Sequence, residues 1–263
     1  MRTLDAHKGI AVTAALFGLT LLLLPHTDFG FSTSKTESVL YEARIQYVVS
    51  TLALNIGNHY FNVDGKGRYD LKKAEEYFYA ALNFNPNITD AWHQLARIDF
   101  LRGDFDEALQ KINTQIELHG KELMPSYYIR GLILGYMGRY EESEQDFLTF
   151  LEWDPTNWAT HNDLAWVYFS QGRFEDAAKI AKKGLEYNPG NPWLLNMYGV
   201  SLMNLGNNED AREMLERAYM EAQLLTESVW HWAYPGNDPM SAARGVREFQ
   251  EVVGKNLNLV EGS

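Results

Sequence analysis

The chain has 263 residues, enough for one large domain or two small ones. Hydrophobic residues make up 46 % and aromatic residues 13 %, which allows a sizeable core and excludes global disorder. The absence of cysteine removes disulfides, thiolate metal sites and cysteine nucleophiles, and a net charge of −12 argues against non-specific nucleic-acid binding.

The first unit in chain order is residues 1–28. Arg2 and Lys8 precede an uncharged apolar run, Ile10 to Leu24, and Pro25, His26 and Asp28 end it. As a helix this run rises roughly 23 Å, short of a hydrocarbon core of ~30 Å, and Gly9, Phe29 and Phe31 could extend it at the interfaces. It reads as an uncleaved anchor contacting the bilayer through residues 9–24. No A-x-A cleavage site comes after it, but a cleaved signal peptide, leaving a secreted or periplasmic chain, stays open, as does a buried soluble helix. The positive-inside rule places the N-terminus in the cytoplasm and the remainder outside a cytoplasmic membrane, in single-pass topology. Residues 29–36 (FGFSTSKT) read as a short stalk.

An internal repeat organises the rest of the chain. Gly103, Gly138, Gly172 and Gly206 stand 35, 34 and 34 residues apart. Five residues after each comes Ala108, Ser143, Ala177 or Ala211, and seven before each comes Ala96, Gly131, Ala165 or Gly199. Pro86, Pro155 and Pro189 fall in the same frame, and the strings GDFDEA, GRYEES, GRFEDA and GNNEDA recur from each glycine. The glycine suits a left-handed turn between two helices, the small residues suit close helix approach, and the prolines stop the second helix.

These motifs resemble the tetratricopeptide repeat, a helix–turn–helix unit of 34 residues. The resemblance covers roughly residues 48–223. It implies an all-α, right-handed superhelical solenoid of about five repeats over 37–228, before which the apolar run places one transmembrane helix. The first repeat is irregular, with extra residues in its turn, Asn62 to Tyr69, and a first helix expected from about Glu37. Gln115 and Phe150 depart from the pattern at usually small positions. Asp99 and Arg130 replace apolar residues on first helices and are expected to pair between the second and third repeats, unless both reach solvent. The helix from Asn208 is expected to reach about Ser228. Residues 229–263 are read as an aromatic turn (Trp230, His231, Trp232, Tyr234) and an amphipathic helix over about 239–257, opened by Asp238-Pro239, that caps the solenoid; a membrane-interface belt is the alternative for the aromatic turn.

The chain carries no G-x-S-x-G, H-E-x-x-H, Walker or dinucleotide glycine motif, so no catalytic residues, cofactor or metal site are assigned. Gly65-Lys66-Gly67 reads as a flexible turn, and the aspartates beside it lack calcium-loop spacing. His161 reads as a structural histidine, and acidic pairs such as Glu141-Glu142 complement helix N-termini. The resemblance instead points to a concave groove lined by first helices. It implies Asn55 and Asn58 from the first repeat, His93, Gln94 and Arg97 from the second, and Tyr128 and Tyr136 from the third. The fourth offers Asn162, Asp163 and Trp166, and the fifth Trp193, Asn196 and Met197. Amides can donate to and accept from a peptide backbone, and Tyr and Trp anchor interfaces. The family's carboxylate clamp is incomplete: Asn58 falls at one clamp position, but Leu54, Pro125 and Ile129 occupy others. The expected function is a membrane-anchored scaffold that binds a peptide segment of a partner protein; the alternative is a self-assembling structural component of an envelope complex. Neither an enzyme nor a nucleic-acid partner is expected.

Overall fold

A computed structural model describes residues 35–61, 70–226, 229 and 245–262. The expected anchor at 1–28, the first-repeat turn, the aromatic turn and the Asp238-Pro239 cap lie outside the described residues. Among the described residues no helix is long and apolar enough to cross a membrane.

Among the described residues eleven α-helices succeed one another: α1 (Lys35–Phe61), α2 (Leu71–Phe84), α3 (Ala91–Arg102), α4 (Phe105–His119), α5 (Pro125–Tyr136), α6 (Tyr140–Trp153), α7 (Trp158–Ser170), α8 (Phe174–Tyr187), α9 (Pro192–Asn204), α10 (Asn208–Gln223) and α11 (Val246–Glu261). Consecutive helices from α1 to α10 pair into five helix–turn–helix units. Each second helix packs on the next first helix, and first helices α3, α5, α7 and α9 also touch in series. Each unit thus meets its neighbours in sequence, the arrangement of a solenoid.

The local causes are visible at the turns. Gly103, Gly138, Gly172 and Gly206 take φ of +80°, +74°, +72° and +79°, where a side chain would be strained. The residue after each glycine donates back to the final turn of the first helix, as Arg173 N to Tyr168 O at 2.9 Å and Asn207 N to Leu202 O at 3.0 Å. These bonds satisfy carbonyls that the helix end would leave open. The helices then close on small residues: a Cβ on Gly199 would come within 2.6 Å of Leu215 Cγ. The larger departures are absorbed by neighbours. Gln115 is fully buried and accepts the His93 backbone N–H, while Phe150 packs its ring 5.6 Å from Tyr128.

One continuous core joins Phe100, Ile112, Ile133, Phe147 and Leu164 across the second to fourth repeats. A second gathers Phe61, Phe78, Leu95 and Ile98 at the N-terminal end.

Three helices differ from expectation in their bounds. Lys35 and Thr36, read as the end of the stalk, already belong to α1. Among the described residues α10 stops at Gln223, with Leu224 in a turn, rather than running to Ser228. The final helix runs from Val246, behind the non-helical Gly245, to Glu261, where about 239–257 was expected. It packs on α9 and α10 as a sixth first helix would. Phe249 stacks on Trp193 at 5.1 Å, and Trp193 on Trp158 at 5.4 Å. Val253 is buried with Leu195, Ala218 and Ala222, and Val260 with Val200 and Leu215.

Candidate peptide groove

The first helices place their positions side by side across repeats. Asp90, at the N-cap of α3, has φ +83° and is the sole non-glycine residue with positive φ among the described residues. Aspartate tolerates this left-handed conformation better than most side chains. Its carboxylate accepts from Gln94 Nε2 at 3.1 Å, and Arg97 Nη1 donates to Gln94 Oε1 at 2.9 Å. The Arg97 guanidinium lies 4.5 Å from the centre of the Phe61 ring. Burial raises the Asp90 carboxyl above its ordinary range, offset by the Gln94 hydrogen bond and the Arg97 charge.

The next two repeats meet through their polar atoms. Tyr128 on α5 donates its hydroxyl to Asp163 Oδ2 on α7 at 2.7 Å, and Asn162 Nδ2 donates to Asp163 Oδ1 at 3.1 Å. Burial, with the Asp163 charge behind it, pushes the Tyr128 hydroxyl well above its usual range, so it remains a donor at neutral pH. Farther along the same helices Tyr136 lies 5.1 Å from Trp166 and 5.3 Å from Phe100. Gly135 admits that indole: a Cβ there would stand 2.8 Å from Trp166 Cζ3.

The remaining positions are placed differently. Asn55 is exposed on α1, and Asn58 is half-buried, with its carbonyl oxygen buried and unpartnered. His93 is 5 % exposed and turns toward α5, its Nδ1 3.0 Å from Ser126 Oγ. Burial pushes its pKa down to about 3, assisted by the Arg97 charge, so the ring is neutral at pH 7. Gln94 is also buried and acts through its bonds to Asp90 and Arg97. In the fifth repeat α11 lies against the expected surface. Phe249 covers one face of Trp193, and Asn256 Nδ2 donates to Asn196 Oδ1 at 2.9 Å. Met197 packs partly into the core beside them. His161 is buried, with Nδ1 2.8 Å from its own helix's Asn157 carbonyl.

The structure therefore brings together Gln94 with Arg97, Tyr128 with Asn162 and Asp163, and Tyr136 with Trp166. Asp90 and Trp158 are additions. The N-cap pattern Thr89-Asp90-Ala91 was the available signal for Asp90, but an N-cap does not announce a left-handed backbone. Trp158 joins the row only through its stack on Trp193.

Asp99 and Arg130 do not pair with each other. Asp99 binds Lys111 on α4 and approaches Arg102 Nη1 at 3.7 Å. Arg130 forks onto Asp146 on α6, with Nε to Oδ2 at 2.7 Å and Nη2 to Oδ1 at 2.8 Å, and reaches Asn113 Oδ1 at 3.2 Å. At these positions the side chain faces the second helix of its own repeat, so its partner lies 12 or 16 residues ahead rather than in the next unit. A cavity of about 250 Å³ opens beside Arg130, lined also by Leu109, Leu134, Arg139 and Glu142. No group of three or more His, Asp or Glu side chains among the described residues could hold a metal ion.

Models of the tetratricopeptide repeat match residues 90–110, 130–192 and 169–227. The "Lipoprotein NlpI homolog" of Haemophilus influenzae is 28 % identical over 177 residues, covering 64 % of this chain and 52 % of that protein. The chain thus spans about half the length of that relative. Among solved structures, MamA from Desulfovibrio magneticus RS-1 aligns with a TM-score of 0.56 at 14 % identity, over 69 % of this chain and 96 % of its own. YrrB, described as a TPR protein with an unusual peptide-binding site, aligns with a TM-score of 0.51 at 15 % identity, over 74 % of this chain and 91 % of its own. At these identities the structural likeness concerns the fold alone.

Proposed function

We propose that this chain, matched by tetratricopeptide-repeat models over three stretches of its solenoid, is a scaffold that binds a peptide segment of a partner protein along its first helices. The observation that carries this reading is the hydrogen-bonded set Tyr128, Asp163 and Asn162, flanked by the half-buried Tyr136–Trp166 pair. Amide, phenol and carboxylate groups can meet the donors and acceptors of an extended backbone, and the aromatic pair offers an apolar seat beside them. Arg97 and Asp163 give the row a positive and a negative station, which favours one direction of peptide entry. No step in this reading requires catalysis.

The scaffold acts at a membrane in this reading. Its support is the charge-free run Ile10–Leu24 behind Arg2 and Lys8, and the name of the H. influenzae relative, which makes that protein a lipoprotein. The 263 residues contain no thiol to carry a lipid, so attachment here would run through the apolar segment.

Site-specific photocrosslinking in the native host tests the groove, with the photoreactive residue at Trp166 and a control at exposed Glu213 on α10. The expected result is a discrete adduct with another protein from position 166 alone. Adducts joining only copies of this chain would replace the scaffold reading with self-assembly. Adducts at neither position would overturn the groove reading.

A further inference from the structure

We propose that the ends of the second helices form a second docking surface, separate from the groove, for a basic amphipathic helix of a partner protein. Four second helices finish on a large apolar side chain that folding leaves bare. Phe84 ends α2, Leu118 is the penultimate residue of α4, Trp153 ends α6 and Tyr187 ends α8. They are 37 %, 45 %, 57 % and 42 % exposed. Isolated exposed apolar residues need no explanation. These four are 34, 35 and 34 residues apart, so repeat symmetry sets them in one row along the solenoid. A first helix lies between successive second helices, so neighbouring stations stand more than one helix diameter, ~10–12 Å, apart along the row.

Each ring or chain keeps only part of its surface in the fold. Trp153 touches Phe150 at 5.3 Å, and Tyr187 lies 5.8 Å from His161. In the fifth repeat the equivalent residue is Glu221, and the row stops there.

Charge identifies the occupant. An exposed glutamate directly precedes three of the four stations, as Glu117, Glu152 and Glu186, and Asn83 precedes the first. Lys183 is bound to Glu186 and lies 5.2 Å from the Tyr187 ring centre, while Glu117 and Glu152 form no ion pair among the described residues, so these two face the row as exposed carboxylates. The chain as a whole has 35 acidic against 23 basic side chains. A helix with an apolar stripe flanked by lysine or arginine satisfies both features of the row. An anionic lipid surface, or a second copy of this acidic chain, meets like charge. The row lies on second helices and the groove on first helices, so the two readings stand or fall separately.

The test uses the full chain in detergent and a fluorescent 28-residue synthetic helix, with leucine at every seventh position and lysines on either side of that stripe. Anisotropy titration should show saturable binding. It should weaken at least tenfold in the double variant Leu118→Ser/Trp153→Ser, and in Glu117→Gln/Glu152→Gln/Glu186→Gln. Circular dichroism of the variants should match the parent, since all five positions are exposed. Trp166→Ala should leave this binding unchanged; its loss would move the peptide to the groove and overturn the rim. Equal binding by a peptide with glutamate for every lysine, insensitivity to both sets of rim substitutions, or absence of binding would each overturn it too. Rim-dependent binding of phosphatidylglycerol vesicles without binding of the peptide would assign the row to a membrane surface instead.

Discussion

Arg130→Met should lower the unfolding free energy by about 3–5 kcal/mol, whereas Arg130→Met/Asp146→Leu should recover most of that loss. The reason is the asymmetry of a buried ion pair. The Asp146 side chain is 5 % exposed and takes two hydrogen bonds from the guanidinium. Burial already raises its carboxyl above the ordinary range, and the Arg130 bonds and charge hold it down. Removing the arginine alone leaves a charge with neither water nor counter-ion, while removing both leaves an apolar contact. The penalty of the single variant should also shrink as the pH falls toward the carboxylate range, because the folded state then gains by protonating Asp146, whose carboxyl burial raises. Urea titration of the parent, both single variants and the double at pH 7 measures the cycle. Equal losses in the single and double variants would show that Arg130 matters through its aliphatic packing and not through the pair.

The second large effect is a pH dependence centred on His93. Its folded pKa is about 3 because the ring is buried beside Arg97, against 6.5 for the free side chain. Between those values the unfolded chain binds a proton and the folded chain does not, so stability falls as pH falls through this window. Each unit contributes up to ~1.4 kcal/mol, so about 2–3 kcal/mol is lost by pH 4.5. The variant His93→Gln can keep a hydrogen bond to Ser126 without titrating. Its stability should therefore decline less steeply than the parent's from pH 6.5 to 4.5, while His161, also lowered by burial, contributes to both curves. Parallel stability curves would show that His93 does not carry the acid sensitivity.

How much of the molecule is legible in its sequence depends on how local each feature is. The turn glycines are legible because a left-handed backbone is a property of one residue, and four copies repeat it in frame. The helix pairs come with that frame. Asp99 and Arg130 stand out as odd, but their partners do not. Spacing tells which face of a helix a residue occupies, not which of two packed neighbours that face meets. The groove is legible as a list of positions and not as a set of bonds. Nothing local says that His93 turns to Ser126, or that Tyr128 reaches Asp163 across 35 residues. The cover over Trp193 and Asn196 is hidden for a different reason. The next aromatic in the stack, Phe249, lies 56 residues beyond Trp193, outside the 34-residue frame that locates the repeats themselves.

The seat of α11 also bears on where the array begins to open. In a chain of units that hold only their neighbours, local unfolding starts at an end and moves inward like a zipper. At the C-terminal end that first step must lift Phe249 off Trp193, itself stacked on Trp158, and break the Asn256–Asn196 and Gln250–Ala222 bonds, exposing Val253 and Val260 to water. Fraying there is opposed by a fastening that spans three successive units. The hydrogen-bonded centre around Tyr128 and Asp163 lies inward of both ends, so a terminal turn can loosen and reclose while that centre keeps its shape.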